Sequence, residues 1–181
     1  MKILTGSLRG QTISFKPNPH LRPTSDKTRK AIFDMLQGGL EGKIVLDLFS
    51  GTGALGFEAL SSGAESVTFV EIEKTQNLTL EKNLAKLGLY EKGEVIVSDA
   101  LKAIERFSKE ERLFDLIFMD PPYEKGLGQK ALTALSKSKI LNENSLIVFE
   151  CRESEVLPNI DLKILKDKVY GDTRIVVYRR G

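Results

Sequence analysis

KIVLDLFSGTGALGFEAL, residues 43–60, decides the fold. Its first half is a short apolar run with the look of a buried strand, and its last seven residues read as a helix. Between them Gly51, Gly53 and Gly56 are spaced G-x-G-x-x-G. A strand that turns through glycines into a helix opens a βαβ unit. Glu71, at the end of the next apolar run, nearly completes a dinucleotide-binding fingerprint. One residue resists that reading. Asp47 closes the strand four residues before the first glycine, where a pyrophosphate would sit.

Downstream, the alternation continues. SVTFVEI, GEVIVSD, LFDLIFMD and SLIVFEC read as strands. KTQNLTLEKNLAKLG, ALKAIERFSK and a segment from about Leu127 to Ser138 read as the helices between them. Strands separated by helices of this length imply a parallel sheet covered on both faces. The tail breaks the pattern: LKILKDKVY and TRIVVYRR, joined at Gly171-Asp172, predict an antiparallel hairpin at one sheet edge. Upstream, residues 2–15 suggest two short strands around a turn, then a loop broken by Pro17, Pro19 and Pro23. Thr24 or Ser25 then caps a helix through about Gln37, ended by Gly38-Gly39. The division expected is an appendage over residues 1–40 and a main domain over 41–181.

The chain has 181 residues, 41% apolar and 29% charged, which suits one ordinary globule. No apolar run is long enough to cross a bilayer, so no membrane span is expected. The first residues lack the apolar stretch of a secretory signal. The single Cys151 excludes an intrachain disulfide and fits a reducing cytoplasm. It is read as core, and the single His20 as a loop residue. One cysteine and one histidine argue against a zinc site, and no metal is expected. Net charge is +2 but uneven: residues 1–37 carry seven Lys/Arg against Asp26 and Asp34. Such a concentration suggests a surface for a polyanion.

Ligands of open parallel sheets bind beyond the carboxyl ends of the strands. Those ends are Asp47, Glu71, Asp99 and Asp120, four acids in a row. Two like charges about 4 Å apart repel by roughly 4 kcal/mol at an effective dielectric near 20. Asp47 therefore disfavours a pyrophosphate and favours a cationic nucleoside. S-adenosylmethionine, with a sulfonium, an ammonium and no phosphate, fits. Glu71 is placed to accept from ribose hydroxyls, and Asp99 from an adenine amino group.

Asp120-Pro121-Pro122-Tyr123 follows the apolar run LIFM. Proline ends a strand, but that alone leaves the flanking Asp and Tyr unexplained. An exocyclic amine on a base is a poor nucleophile that must be held in line with its electrophile. The Asp120 carboxylate and the Pro121 carbonyl can accept its N–H groups, and the two prolines fix the backbone beforehand. Positioning and preorganised dipoles then supply the rate. Tyr123 offers a face on which a base out of its helix can stack.

DLFSGTGALGFEAL followed by VEIEK, VSDAL and DPPY resembles the class I S-adenosylmethionine-dependent methyltransferases that act on amino groups. GSLRGQTISF and LRPTSDKTRKAIFDML resemble the opening of the RsmD family, which methylates guanine N2 in small-subunit (16S) ribosomal RNA. The resemblance covers nearly the whole chain. It implies a Rossmann-like α/β fold: a seven-stranded, mostly parallel sheet, helices on both faces and a C-terminal antiparallel hairpin. It implies cofactor contacts at Asp47, Phe49, Ser50, Gly51, Gly53, Glu71, Asp99 and Ala100, with the target amine at Asp120, Pro121, Pro122 and Tyr123. The partner expected is ribosomal RNA, alone or in an assembling 30S particle, bound by a monomer in the cytoplasm. Arg9, Lys16, Arg22, Lys27, Arg29 and Lys30 are then candidates for RNA phosphates. Three readings compete with this one: an amino-methyltransferase for DNA adenine or protein glutamine, a non-catalytic RNA-binding module, and an NAD-dependent oxidoreductase. Asp47 and DPPY disfavour the last.

Overall fold

Seven strands form one sheet in the order β3-β2-β1-β4-β5-β7-β6 in a computed structural model that describes residues 1–17, 24–36, 38–122 and 126–180. The parallel part comprises β1 (Ile44–Asp47), β2 (Ser66–Glu71), β3 (Gly93–Val97), β4 (Phe114–Met119) and β5 (Leu141–Arg152). Its crossovers are α2 (Ala54–Ser61), α3 (Lys74–Lys86), α4 (Ala100–Lys109) and α5 (Leu127–Lys137). The tail strands β6 (Lys163–Tyr170) and β7 (Thr173–Arg179) are antiparallel, and β7 inserts between β5 and β6. Gly171, at φ +66, lets two residues close that hairpin. The mostly parallel sheet with its final antiparallel pair is the fold expected from the sequence.

One boundary differs. The fifth strand begins at Leu141 rather than Ser145, with its register against β4 shifted between Phe114 and Leu116. Ser145 Oγ donates to the Phe114 carbonyl and accepts from Asn142 N–H, so polar residues 142–145 are held in the strand by a side chain that the hydrophobic pattern does not reveal.

Alternation along the strands separates two cores. Val45, Phe69, Leu116, Phe118 and Val148 point to one face, where α2 and α3 pack. Leu46, Val70, Ile117, Met119 and Phe149 point to the other, covered by α4 and α5. The first face also buries Ile3, Ile13, Leu40 and, from helix α1 (Asp26–Leu36), Ile32 and Phe33. The N-terminal segment therefore shares the core of the sheet. Its first residues make an isolated bridge, Lys2 with Thr12, in place of two strands.

Polar bonds fix the path of this segment. Ser7 N–H and Leu8 N–H donate to the carbonyl and Oγ of Ser61, at the C-terminal end of α2. Residues 12, 14 and 16 then run along α3: Lys86 Nζ donates to the Thr12 carbonyl, Asn83 exchanges two bonds with Ser14, and Gln76 two with Lys16. The chain thus climbs from the last turn of α3 to its first. Strand order reverses between β1 and β4, so the crevice of this sheet opens above those two strands.

Candidate functional site

The glycine turn is built by backbone geometry and close packing. Gly51 and Gly53 lie at φ +49 and +75, a region that disfavours side chains. A Cβ on Gly53 would collide with Leu80 and Phe57, and one on Gly56 with the ring of Phe69. These glycines let α2 lie directly on β2 and bring its N-terminus to the crevice. Ser50 completes the turn: its N–H donates to the Val70 carbonyl and its Oγ, at 2.6 Å, to the Asp47 carbonyl.

Three acids converge here from adjacent strands. Asp47 is 3% exposed, and its Oδ2 accepts the Gly56 N–H at 3.0 Å. Burial first, with the negative charges of Asp120 and Glu71 in support, pushes its carboxyl up to about 7 against that bond. Glu71 accepts from Gly51 N–H at 2.8 Å and from Glu73 N–H at 2.9 Å. A carboxylate offers about four acceptor directions, so capacity remains for a ligand's hydroxyls. Phe49 is half-buried beside the turn. Asp99 is the N-cap of α4, its Oδ1 accepting from Leu101 and Lys102 N–H. Ala100 opens that helix, where N–H groups lack intrahelical partners.

Asp120 and Pro121 leave β4 at the same rim. Asp120 Oδ2 accepts from the Thr24 hydroxyl at 2.9 Å. Pro121 is buried and Pro122 exposed. Tyr123, Arg22 and His20 lie outside the described residues.

The donor set suits a cationic nucleoside without phosphates. The two side-chain charges acting on buried Asp47 are both negative. An anion placed there would meet repulsion from Asp120 and Glu71 and would keep Asp47 protonated, whereas a sulfonium or ammonium would be attracted and would favour the ionised Asp47. S-adenosylmethionine has those groups, and its ribose hydroxyls match the acceptor Glu71.

The basic residues separate. Lys16, Lys27 and Lys30 are exposed, and so is Arg9. Arg9 follows the residues tied to Ser61, at the end of α2 away from the glycine turn, roughly 12 Å of helix from it. Arg29 must be withdrawn as a phosphate contact. It is 1% exposed, donates to the Lys2 carbonyl at 3.0 Å, and pairs with Asp26 at 2.8 Å and Glu58 at 3.4 Å. Glu58, fully buried, also accepts from Leu4 N–H, Thr5 N–H and the Thr5 hydroxyl. The sequence reading missed this acid, although a lone Glu in the otherwise apolar helix ALGFEALS is a visible signal. Among the described residues no group of acids, His or Cys is arranged to hold a metal ion, and no helix is long and apolar enough to cross a membrane.

Residues 1–179 match the family described as conserved hypothetical protein 95. Ribosomal RNA small subunit methyltransferase D of Buchnera aphidicola is 35% identical over 97% of this chain and 91% of its own. The protein of the same name from Escherichia coli is 30% identical over 99% and 90%. A solved Escherichia coli structure described as a methyltransferase superposes with a TM-score of 0.84 at 31% identity, covering 99% of this chain and 97% of that one.

Proposed function

The chain belongs to the conserved hypothetical protein 95 family, the RsmD methyltransferases, and on that premise we propose that it transfers a methyl group from S-adenosylmethionine to the exocyclic N2 of a guanine in 16S ribosomal RNA. The observation that carries this reading is the convergence of Asp47, Glu71 and Asp120 at the switch point of the sheet, with a proline corner attached to the third acid.

Asp47, Phe49, Ser50, Gly51, Gly53, Glu71, Asp99 and Ala100 hold the cofactor. When bound, S-adenosylmethionine supplies an electrophilic methyl on a sulfonium. Glu71 accepts from ribose, and the free oxygen directions of Asp99 accept from the adenine amine. The Asp120 carboxylate and the Pro121 carbonyl accept the two N–H bonds of the target amine. In doing so they orient its lone pair and stabilise the positive charge that grows on nitrogen. Pro121 and Pro122 hold that carbonyl in a fixed direction, and Tyr123 stacks on the guanine. Lys16, Lys27 and Lys30, all exposed, receive RNA phosphates, with Arg9 at the periphery, and Arg22 takes the same role on the strength of the sequence alone. The chain acts as a monomer in the cytoplasm, on free RNA or on an assembling small subunit.

The experiment is to supply labelled methyl donor to 16S RNA, and to small subunits, from cells lacking this protein, and to map the product. One N2-methylguanine is expected. Label on an adenine or on a protein would transfer the reading to another polymer. Calorimetry should show binding of S-adenosylmethionine and none of NAD.

A further inference from the structure

Thr24 resolves a choice that its neighbourhood leaves open. Thr24 and Ser25 are both good helix caps, but Ser25 takes that role: its Oγ accepts Thr28 N–H and its carbonyl accepts Arg29 N–H. The Thr24 hydroxyl instead reaches 96 residues along the chain to donate to Asp120 Oδ2. Thr24 is buried at 8% exposure, so water does not readily replace this bond.

Helix α1, which begins two residues after Thr24, is firmly placed. Arg29 ties α1 to the Lys2 carbonyl and to Glu58 of α2. Phe33 packs its ring 5.8 Å from that of Phe118, two residues before Asp120 on β4. Lys166 of β6 donates to the Met35 carbonyl in the last turn. Thr24, two residues ahead of a helix held at both ends and along one face, presents its hydroxyl from a fixed base. A carboxylate at a strand end rotates about two side-chain torsions. A bond to one of its oxygens favours one rotation, and a carboxylate offers about four acceptor directions in all.

We propose that Thr24 is a positioning residue, holding the Asp120 carboxylate in the orientation that accepts the target amine and so coupling helix α1, with Lys27 and Lys30 on its exposed face, to the reacting centre. This rests on the methyl-transfer reading of Asp120. The hydroxyl touches neither substrate nor cofactor; it acts through the carboxylate. Its loss lowers the rate of transfer and leaves binding of both substrates in place.

The test compares Thr24→Val, which keeps the shape and removes the donor, with Thr24→Ser, which keeps the donor. Thr24→Val should lower the single-turnover rate on undermethylated small subunits about 10- to 100-fold. Its affinities for S-adenosylmethionine and RNA should stay within about twofold of the parent. Thr24→Ser should recover the rate to within about threefold, and in an Asp120→Ala background Thr24→Val should cost nothing more. Crystals of Thr24→Val should show the Asp120 carboxylate rotated, and those of Thr24→Ser should show it in place. An unchanged rate, equal losses in Val and Ser, or an unmoved carboxylate overturns the proposal. If the unaltered protein methylates no RNA, the methyl-transfer reading falls, while the crystals still decide whether Thr24 orients Asp120.

Discussion

At Asp47 one buried carboxyl decides which ligand the crevice accepts. Its pKa, pushed up to about 7 by burial and then by Asp120 and Glu71, leaves it largely protonated at pH 6 in the ligand-free protein. A sulfonium and an ammonium favour the ionised form. Binding of S-adenosylmethionine at pH 6 is therefore predicted to release a proton, and affinity to climb between pH 6 and 7. Calorimetry in two buffers of different ionisation enthalpy reads both, and Asp47→Asn should abolish the proton release. The stability sign follows from the same group. Between the ordinary value of 3.8 and about 7 the folded chain holds a proton that the unfolded chain has lost, so this group's contribution falls as pH rises through that window. Denaturation at pH 5 and 8 checks it, with Asp47→Asn as the reference. At Asp120 the prediction separates chemistry from binding: Asp120→Ala should lose about 10²-fold or more in transfer rate while calorimetry finds the cofactor still bound. Asp47, Glu71 and Asp120 were legible in the sequence because apolar runs end abruptly at strand termini. Asp99 was half legible, since one of its oxygens turns out to cap α4.

Helix α1 shows what an element adds to a count of charges. Residues three apart on a helix share a face, as Lys27 and Lys30 do, whereas residues two apart, as Lys27 and Arg29 are, point to nearly opposite sides. Composition treats the three alike, but the fold exposes the two lysines and buries the arginine against Glu58. The partner that explains Arg29 lies in the next helix, α2, and local pattern does not reach that far. The prediction separates the two classes. Lys27→Glu with Lys30→Glu should weaken RNA binding and lower its salt slope by about one for each phosphate no longer neutralised, with little change in Tm. Arg29→Met should leave Glu58 buried without its counter-charge, at a cost of about 3–5 kcal/mol. For a chain of this size that is a Tm lower by roughly 10 °C. A binding titration over a range of salt and a thermal melt distinguish the outcomes. Equal salt slopes for Lys27→Glu/Lys30→Glu and the parent would remove α1 from the RNA surface.

For the molecule as a whole, the question is whether residues 1–40 are an accessory or part of the fold. An excess of positive charge suggested an accessory, and the alternation that reveals a parallel sheet is silent about a segment with one isolated bridge. Yet Ile3, Ile13, Ile32, Phe33 and Leu40 lie in the same cluster as Phe57, Phe69 and Phe118. Burial of each such side chain contributes about 1.5–3 kcal/mol. Together the five contribute on the order of 10 kcal/mol, comparable to the net stability of a typical domain. The fully buried carboxylate of Glu58 would also lose Leu4, Thr5 and Arg29 at once. A fragment spanning residues 41–181 is therefore predicted to show no cooperative thermal transition and to bind no S-adenosylmethionine, although every cofactor contact proposed above lies within it. The intact chain should melt in one step by both far-ultraviolet and aromatic circular dichroism. A soluble, cooperatively melting fragment that binds the cofactor would establish instead that the sheet stands alone and that the basic segment serves the RNA only.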